Sequence, residues 1–285
     1  MKIEELAPQC VWKNFYQLTQ VPRPSGHLDK IQAFLLQWGK DHGVETWQDK
    51  AGNILMRKPA TAGLEDRQGI VLQAHMDMVP QKTADSPHDF LTDPIPAFID
   101  GDWVKTHGTT LGADDGMGVA AIMAIMEDTG LQHGPLEALI TADEETGMYG
   151  AFGLEPGELQ GKVLLNLDSE EEGEFCIGCA GGMNTHAVFK YGTENRKDGY
   201  TRLSLKISGA LGGHSGDDID KNRMNTVQYL AKFLYYELPY GLQIIMLKGG
   251  NKSNAIAREC EAIIAVPDSD ATLKRFIDYG KEAKA

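Results

Sequence analysis

Through the N-terminal part of the chain, short runs that are apolar on both faces alternate with stretches of helical period. The runs 53–56, 70–74, 136–141 and 163–167 are too short for packed helices and lack the polar alternation of a strand with one wet face. Val119, Ile122 and Met126 recur at helical spacing between two of these runs. Upstream, Val11, Phe15 and Leu18 share one helical face, as do Ile31, Phe34, Leu35 and Trp38, and Gly43 supplies a helix stop. Doubly apolar strands interleaved with helices predict an α/β layer: a mostly parallel sheet flanked by helices.

The pattern changes near residue 185. Leu203, Leu205 and Ile207 alternate strictly, which predicts a strand with one wet face. A helix through Val227, Leu230, Ala231 and Leu234 follows, then strands over 242–247 and 261–266 and a last helix from about Ala271. This order predicts a second, smaller α+β domain. The glycine-rich stretch 178–182 marks the border, giving domains 1–185 and 186–285.

The net charge of −14 excludes the basic footprint that nucleic acid requires, and it disfavours an anionic membrane surface. No apolar run is long enough to span a membrane. Glu4 and Glu5 stand near the N-terminus with no apolar h-region, so no secretory signal is visible and the cytoplasm is expected. Four cysteines are too few for a disulfide scaffold in 285 residues. Cys176 and Cys179 form a lone CxxC without the further ligands of a structural zinc site, and they read as ordinary thiols.

Three of the predicted strands run into metal-competent residues: His75-Met76-Asp77, Asp143-Glu144-Glu145 and Asp168-Ser169-Glu170. Ligands of open α/β sheets bind beyond the carboxyl ends of the strands, where these clusters converge. A fourth cluster, Asp114-Asp115, precedes a helix. Each has an ordinary reading by itself. His75-x-Asp77 is also the pattern of a buried, hydrogen-bonded histidine, Glu144-Glu145 that of a solvated loop, and Asp114-Asp115 that of an acidic helix N-terminus. Together they offer one imidazole and at least three carboxylates, more than one catalytic metal needs, which suits two divalent ions about 3.5–4 Å apart. A histidine among the donors favours zinc over magnesium or calcium, and no EF-hand spacing occurs. Neither a G-x-S-x-G elbow nor a phosphate-binding glycine loop is present. In the second domain, His214 sits in a glycine-rich loop that is equally a bland turn or a functional one.

The stretches 71–82 (VLQAHMDMVPQK), 108–114 (GTTLGAD), 166–174 (NLDSEEEGE) and 178–182 (GCAGG) resemble the aminoacyl-histidine dipeptidases (Xaa-His dipeptidases, peptidase D). These belong to the di-zinc exopeptidase superfamily with carnosinases and carboxypeptidase G. The resemblance runs from the first helix to about residue 267. It implies that His75 and Asp168 bind one metal, that Asp114 bridges two, and that Glu145 binds the second. Glu144 would be the general base, and Asp77 would orient His75. His214, in a lid domain, would polarise the scissile carbonyl or hold the oxyanion, and Asn254 would lie near the substrate carboxylate. It also implies a cis Asp114–Asp115 bond and two Zn²⁺ ions, with Co²⁺ or Mn²⁺ as substitutes. A homodimer through the lid, and dipeptide substrates such as β-alanyl-histidine, complete the picture. A deacylase or desuccinylase of the same superfamily, or a catalytically silent metal-binding fragment, are the alternatives. The family's second metal-site histidine lies in a segment after the lid, whereas no histidine follows His214 here. The resemblance thus implies a C-terminally truncated piece that lacks the late catalytic segment, binds its second metal weakly and has little activity alone.

Overall fold

The computed structural model describes residues 2–169, 173–178, 185–214, 216 and 218–282. Two compact units divide the chain at Cys179/Ala180. The first opens with α1 (Gln9–Thr19) and α2 (Asp29–His42), whose apolar faces bury Phe15, Leu18, Ile31 and Leu35. Gly43 ends α2 at φ 66°, a left-handed cap that glycine adopts without a Cβ penalty. Next come β1 (Glu45–Gln48), β2 (Ile54–Lys58), β3 (Ile70–His75) and the small hairpin β4 (Phe98–Asp100) and β5 (Trp103–Lys105). Then follow α3 (Ala113–Glu127), β6 (Leu136–Thr141), α4 (Tyr149–Phe152) and β7 (Val163–Asn166).

The five-stranded sheet has the order β1-β2-β6-β3-β7. Its site-bearing part is parallel, with β3 paired to β6 (Ile70 opposite Leu136) and to β7 (Ile70 opposite Val163). The other two pairings, β1–β2 and β2–β6, are antiparallel, so the sheet is mixed. The β1–β2 reversal has a local reason in the tight turn between them. Asp49 accepts the backbone N–H groups of Ala51 and Asn53 there, reversing the chain without a crossover helix. Ile54, Met56, Leu72, Ala74 and Ile140 meet Val119, Ile122 and Met123 of α3 in the main core. α3 is apolar all round and correspondingly buried. β7 is an edge strand, and its Leu164 and Leu165 are exposed rather than buried on both faces.

The second unit contains β8 (Tyr200–Ile207), α5 (Thr226–Glu237), β9 (Gln243–Gly249), β10 (Cys260–Pro267) and α6 (Asp270–Glu282). This is the strand–helix–strand–strand–helix order that the periodicity predicts. β10 lies between β8 and β9, antiparallel to both. Asn225 caps α5 by accepting the N–H groups of Val227 and Gln228, each at 3.1 Å. Leu230, Phe233, Leu234, Ile264, Val266 and Phe276 form its core. Cys176 is a free, exposed thiol, and Cys179 lies outside the described residues. Among the described residues no helix is long and apolar enough to cross a membrane.

Candidate metal centre

Because β3, β6 and β7 are parallel, their carboxyl ends share one edge of the sheet. β3 ends on His75. β6 ends on Thr141 and feeds the loop carrying Glu144 and Glu145, and β7 ends two residues before Asp168. Asp114 and Asp115 come from the first turn of α3, where both leave helical φ/ψ, and the peptide bond between them is cis as expected. Ligand-competent atoms of His75, Asp114 and Asp168 all lie within 4.8 Å of one another, and so do those of His75, Glu144 and Glu145.

His75 is 1% exposed and stands at the centre of both groups. Its Nε2 is 2.9 Å from Asp114 Oδ1 and 3.8 Å from Asp168 Oδ2. Its Nδ1 faces Asp77, 3.1 Å from the main-chain oxygen and 3.3 Å from Oδ1. Asp77 is fully buried and contacts more than the ring. Its Oδ1 accepts the Glu144 N–H at 3.0 Å, and its Oδ2 accepts the Glu145 N–H at 3.3 Å and the Ser25 hydroxyl at 2.8 Å. One carboxylate therefore ties the β3 exit to the β6 exit.

Burial opposes charge on His75, but hydrogen bonds to Asp114 and Asp77 and the charge of Asp168 overcome it and raise the imidazole to about 11. Burial likewise opposes ionisation of Asp77, yet His75, Ser25 and the Glu144 N–H hold its carboxyl below the usual range. The hydrogen bond to His75 lowers Asp114. Three other carboxyls are pushed up: Asp115 to about 7 by burial, Glu145 to about 7 by burial and by Asp114, and Asp168 to about 6 by burial and by Asp114. Crowded carboxyls of this kind raise one another unless a cation lies between them. One imidazole with several carboxylates on a partly open edge is a donor set that fits zinc.

The supporting contacts explain how short loops hold this arrangement. Asp115 Oδ2 accepts the His75 N–H at 3.1 Å, and its Oδ1 accepts the Gly118 N–H at 3.1 Å, so it joins β3 to α3 without belonging to either ligand group. The Glu144 loop is pinned at its neck by Asn53, which is fully buried. Asn53 accepts the Ala142 N–H at 3.0 Å and donates to Gly150 O at 2.9 Å, and the Gly150 N–H returns to Ala142 O at 2.9 Å. Inside that loop Asp143 and Met148 adopt φ 49° and 55°, a left-handed conformation that non-glycine residues rarely take outside constrained sites.

Residues 71–217 match Peptidase family M20/M25/M40. The chain belongs to that peptidase family. It is 44% identical over 283 residues to the cytosol non-specific dipeptidase of Escherichia coli (strain K12), a match covering 99% of this chain and 58% of that protein. The crystal structure of aminoacylhistidine dipeptidase from Vibrio alginolyticus superposes with a TM-score of 0.62 at 39% identity, again covering 99% of this chain and 58% of the other. The chain thus spans little more than half the length of these M20/M25/M40 relatives.

His214 and Asn254 belong to the second unit and come from adjoining backbone segments. His214 forms an isolated β-bridge with Ala255, and the Ile256 N–H donates to Gly213 O at 2.8 Å. The His214 N–H donates to Asp218 at 2.8 Å, and its ring Nδ1 accepts the Gly216 N–H at 3.1 Å. Asn53, Ser25, Arg23 and the bracing role of Asp115 are not visible in the motifs. Only the cation placed between Pro22 and Pro24 hints at one of them.

Proposed function

We propose that this protein is a metal-dependent dipeptidase, acting in the cytoplasm on dipeptides that include Xaa-His sequences such as β-alanyl-histidine. The observation that carries the reading is the convergence of His75, Asp114 and Asp168 within 4.8 Å at the carboxyl edge of three parallel strands. The dipeptidase names of the relatives agree with it.

His75, Asp114 and Asp168 would hold one zinc ion, and Asp114 with Glu145 a second, with Asp114 shared. When bound, such ions polarise the scissile carbonyl and bring the pKa of water toward neutrality. Asp77 accepts a hydrogen bond from the Nδ1–H of His75, which leaves Nε2 as the ligand atom. Glu144 takes the proton from the attacking water and delivers it to the leaving amine. Its backbone is held by Asp77, so the base and the histidine keep a fixed separation during proton transfer. As the resemblance implies, His214 would stabilise the oxyanion and Asn254 would receive the substrate carboxylate.

The test is a panel of dipeptides, β-alanyl-histidine among them, run on the full gene product beside N-acyl amino acids, with chelation and zinc restoration. Dipeptide cleavage that chelator abolishes and zinc restores is the expected result. Cleavage of the N-acyl amino acids alone would replace this reading with a deacylase, and no hydrolysis at all would replace it with a silent metal-binding protein.

A further inference from the structure

Arg23 is 2% exposed, and its guanidinium touches no carboxylate among the described residues at ion-pair distance. Its hydrogen bonds go to main-chain carbonyls instead. Nη1 donates to Met76 O at 3.0 Å and Asp77 O at 3.1 Å, and Nη2 donates to Gly112 O. Those carbonyls belong to the two turns that present His75 and Asp114, which are 39 residues apart in sequence. We propose that Arg23 is a positioning residue of the metal centre: its planar fork ties the turn after β3 to the turn before α3, and so sets the separation of His75 from Asp114. The inference rests on the metal-centre reading above.

The chain around Arg23 is built for this task. Pro22 and Pro24 restrict the backbone on either side. The Met78 N–H donates to Arg23 O at 3.1 Å, Pro24 bridges Met78, and the Ser25 hydroxyl reaches Asp77. The opposing wall is shaped to the guanidinium. A Cβ at Gly112 or Gly116 would come within 2.7 or 2.4 Å of Nη2, so both positions leave the space that the fork occupies. Burial lowers the guanidinium to about 10 against the pull of Asp77, Asp115 and Asp114, and it stays a cation at neutral pH. Five donors in a rigid plane can reach two loops at once, whereas an ammonium presents its donors from a single point.

The experiment titrates Co²⁺ into the metal-free protein and follows its visible ligand-field absorption, which reports the geometry around the ion in folded molecules only. Arg23→Gln and Arg23→Lys, with folding checked by circular dichroism, are expected to bind Co²⁺ about 10–100-fold more weakly and to shift the absorption bands, the range typical of residues that orient metal ligands. Gly116→Ala, which keeps Arg23 and crowds Nη2, is expected to shift the bands in the same direction and serves where an Arg23 variant does not fold. With dipeptide substrate, kcat should fall while KM changes little. Wild-type affinity and bands in a folded Arg23→Gln protein would overturn the inference alone. Full rescue by Arg23→Lys would overturn the bridging geometry and leave charge as the cause. A wild-type protein that binds no Co²⁺ would instead overturn the metal-centre reading, and this inference with it.

Discussion

Glu144 and Glu145 are adjacent in the chain and are assigned different work. Both backbone N–H groups sit on Asp77, which turns the two side chains into the same cluster from one rigid anchor. Burial and the nearby Asp114 raise the Glu145 carboxyl to about 7, as befits a group meant to face a cation. Glu144→Gln keeps shape and hydrogen-bonding capacity but cannot accept a proton. Its kcat should drop about 10²–10⁴-fold with bound metal unchanged, the usual size of a general-base contribution. Glu145→Ala should show the opposite signature, with metal content falling before any separate effect on chemistry. Near-normal kcat in Glu144→Gln, measured beside metal analysis, would remove the base from this mechanism. At this scale the ligand-type residues were legible because their chemistry is unusual at strand ends. Asp115 was not, because an acidic first helical turn looks the same whether it meets solvent or braces His75.

Among the elements, the loop between β6 and α4 depends on the residue just before β2. Asn53 closes the neck through Ala142 and Gly150, 89 and 97 residues away. Asn53→Ala would leave the Ala142 N–H and the Gly150 carbonyl without that partner in a buried place. A loss of about 1–3 kcal/mol is expected, read as a lower urea midpoint. Turnover of the folded fraction should fall as well, because the loop carries Glu144. An unchanged midpoint would show that water or Asp49 takes over the neck. In the first unit the positions of β2, β3, β6, β7 and the three long helices followed from hydrophobic period, whereas β1 and the β4–β5 hairpin, which are short and carry polar residues, did not. The antiparallel direction of β2 against β6 did not follow either, since an apolar run carries the same period whichever way it points.

Over the whole molecule, the donor set would serve two ions unequally. Among the described residues the clustered ligand groups contain a single imidazole, His75. A catalytic zinc typically takes three protein ligands, and His75, Asp114 and Asp168 supply that number for one ion only. Zinc titration of the metal-free chain, followed by calorimetry, should therefore show one tight equivalent and a second, weaker one. Two equally tight equivalents would mean that another residue completes the second site. Removing metal should also lower thermal stability, because an ion bound only by the folded state stabilises it by mass action.

Sequence alone determined what is written locally or periodically: where the longer apolar strands and amphipathic helices fall, that a layered α/β unit precedes an α+β unit, and that histidine and carboxylates gather where parallel strands end. Only the tertiary structure decided strand direction, the exposure of the β7 edge, and the roles of Asp115, Asn53 and Arg23. The reason is reach. Each of those three side chains acts on main-chain groups tens of residues away, 40 for Asp115 to His75 and 89 for Arg23 to Gly112. No spacing rule in the chain records a contact that exists only after the sheet has brought both ends together.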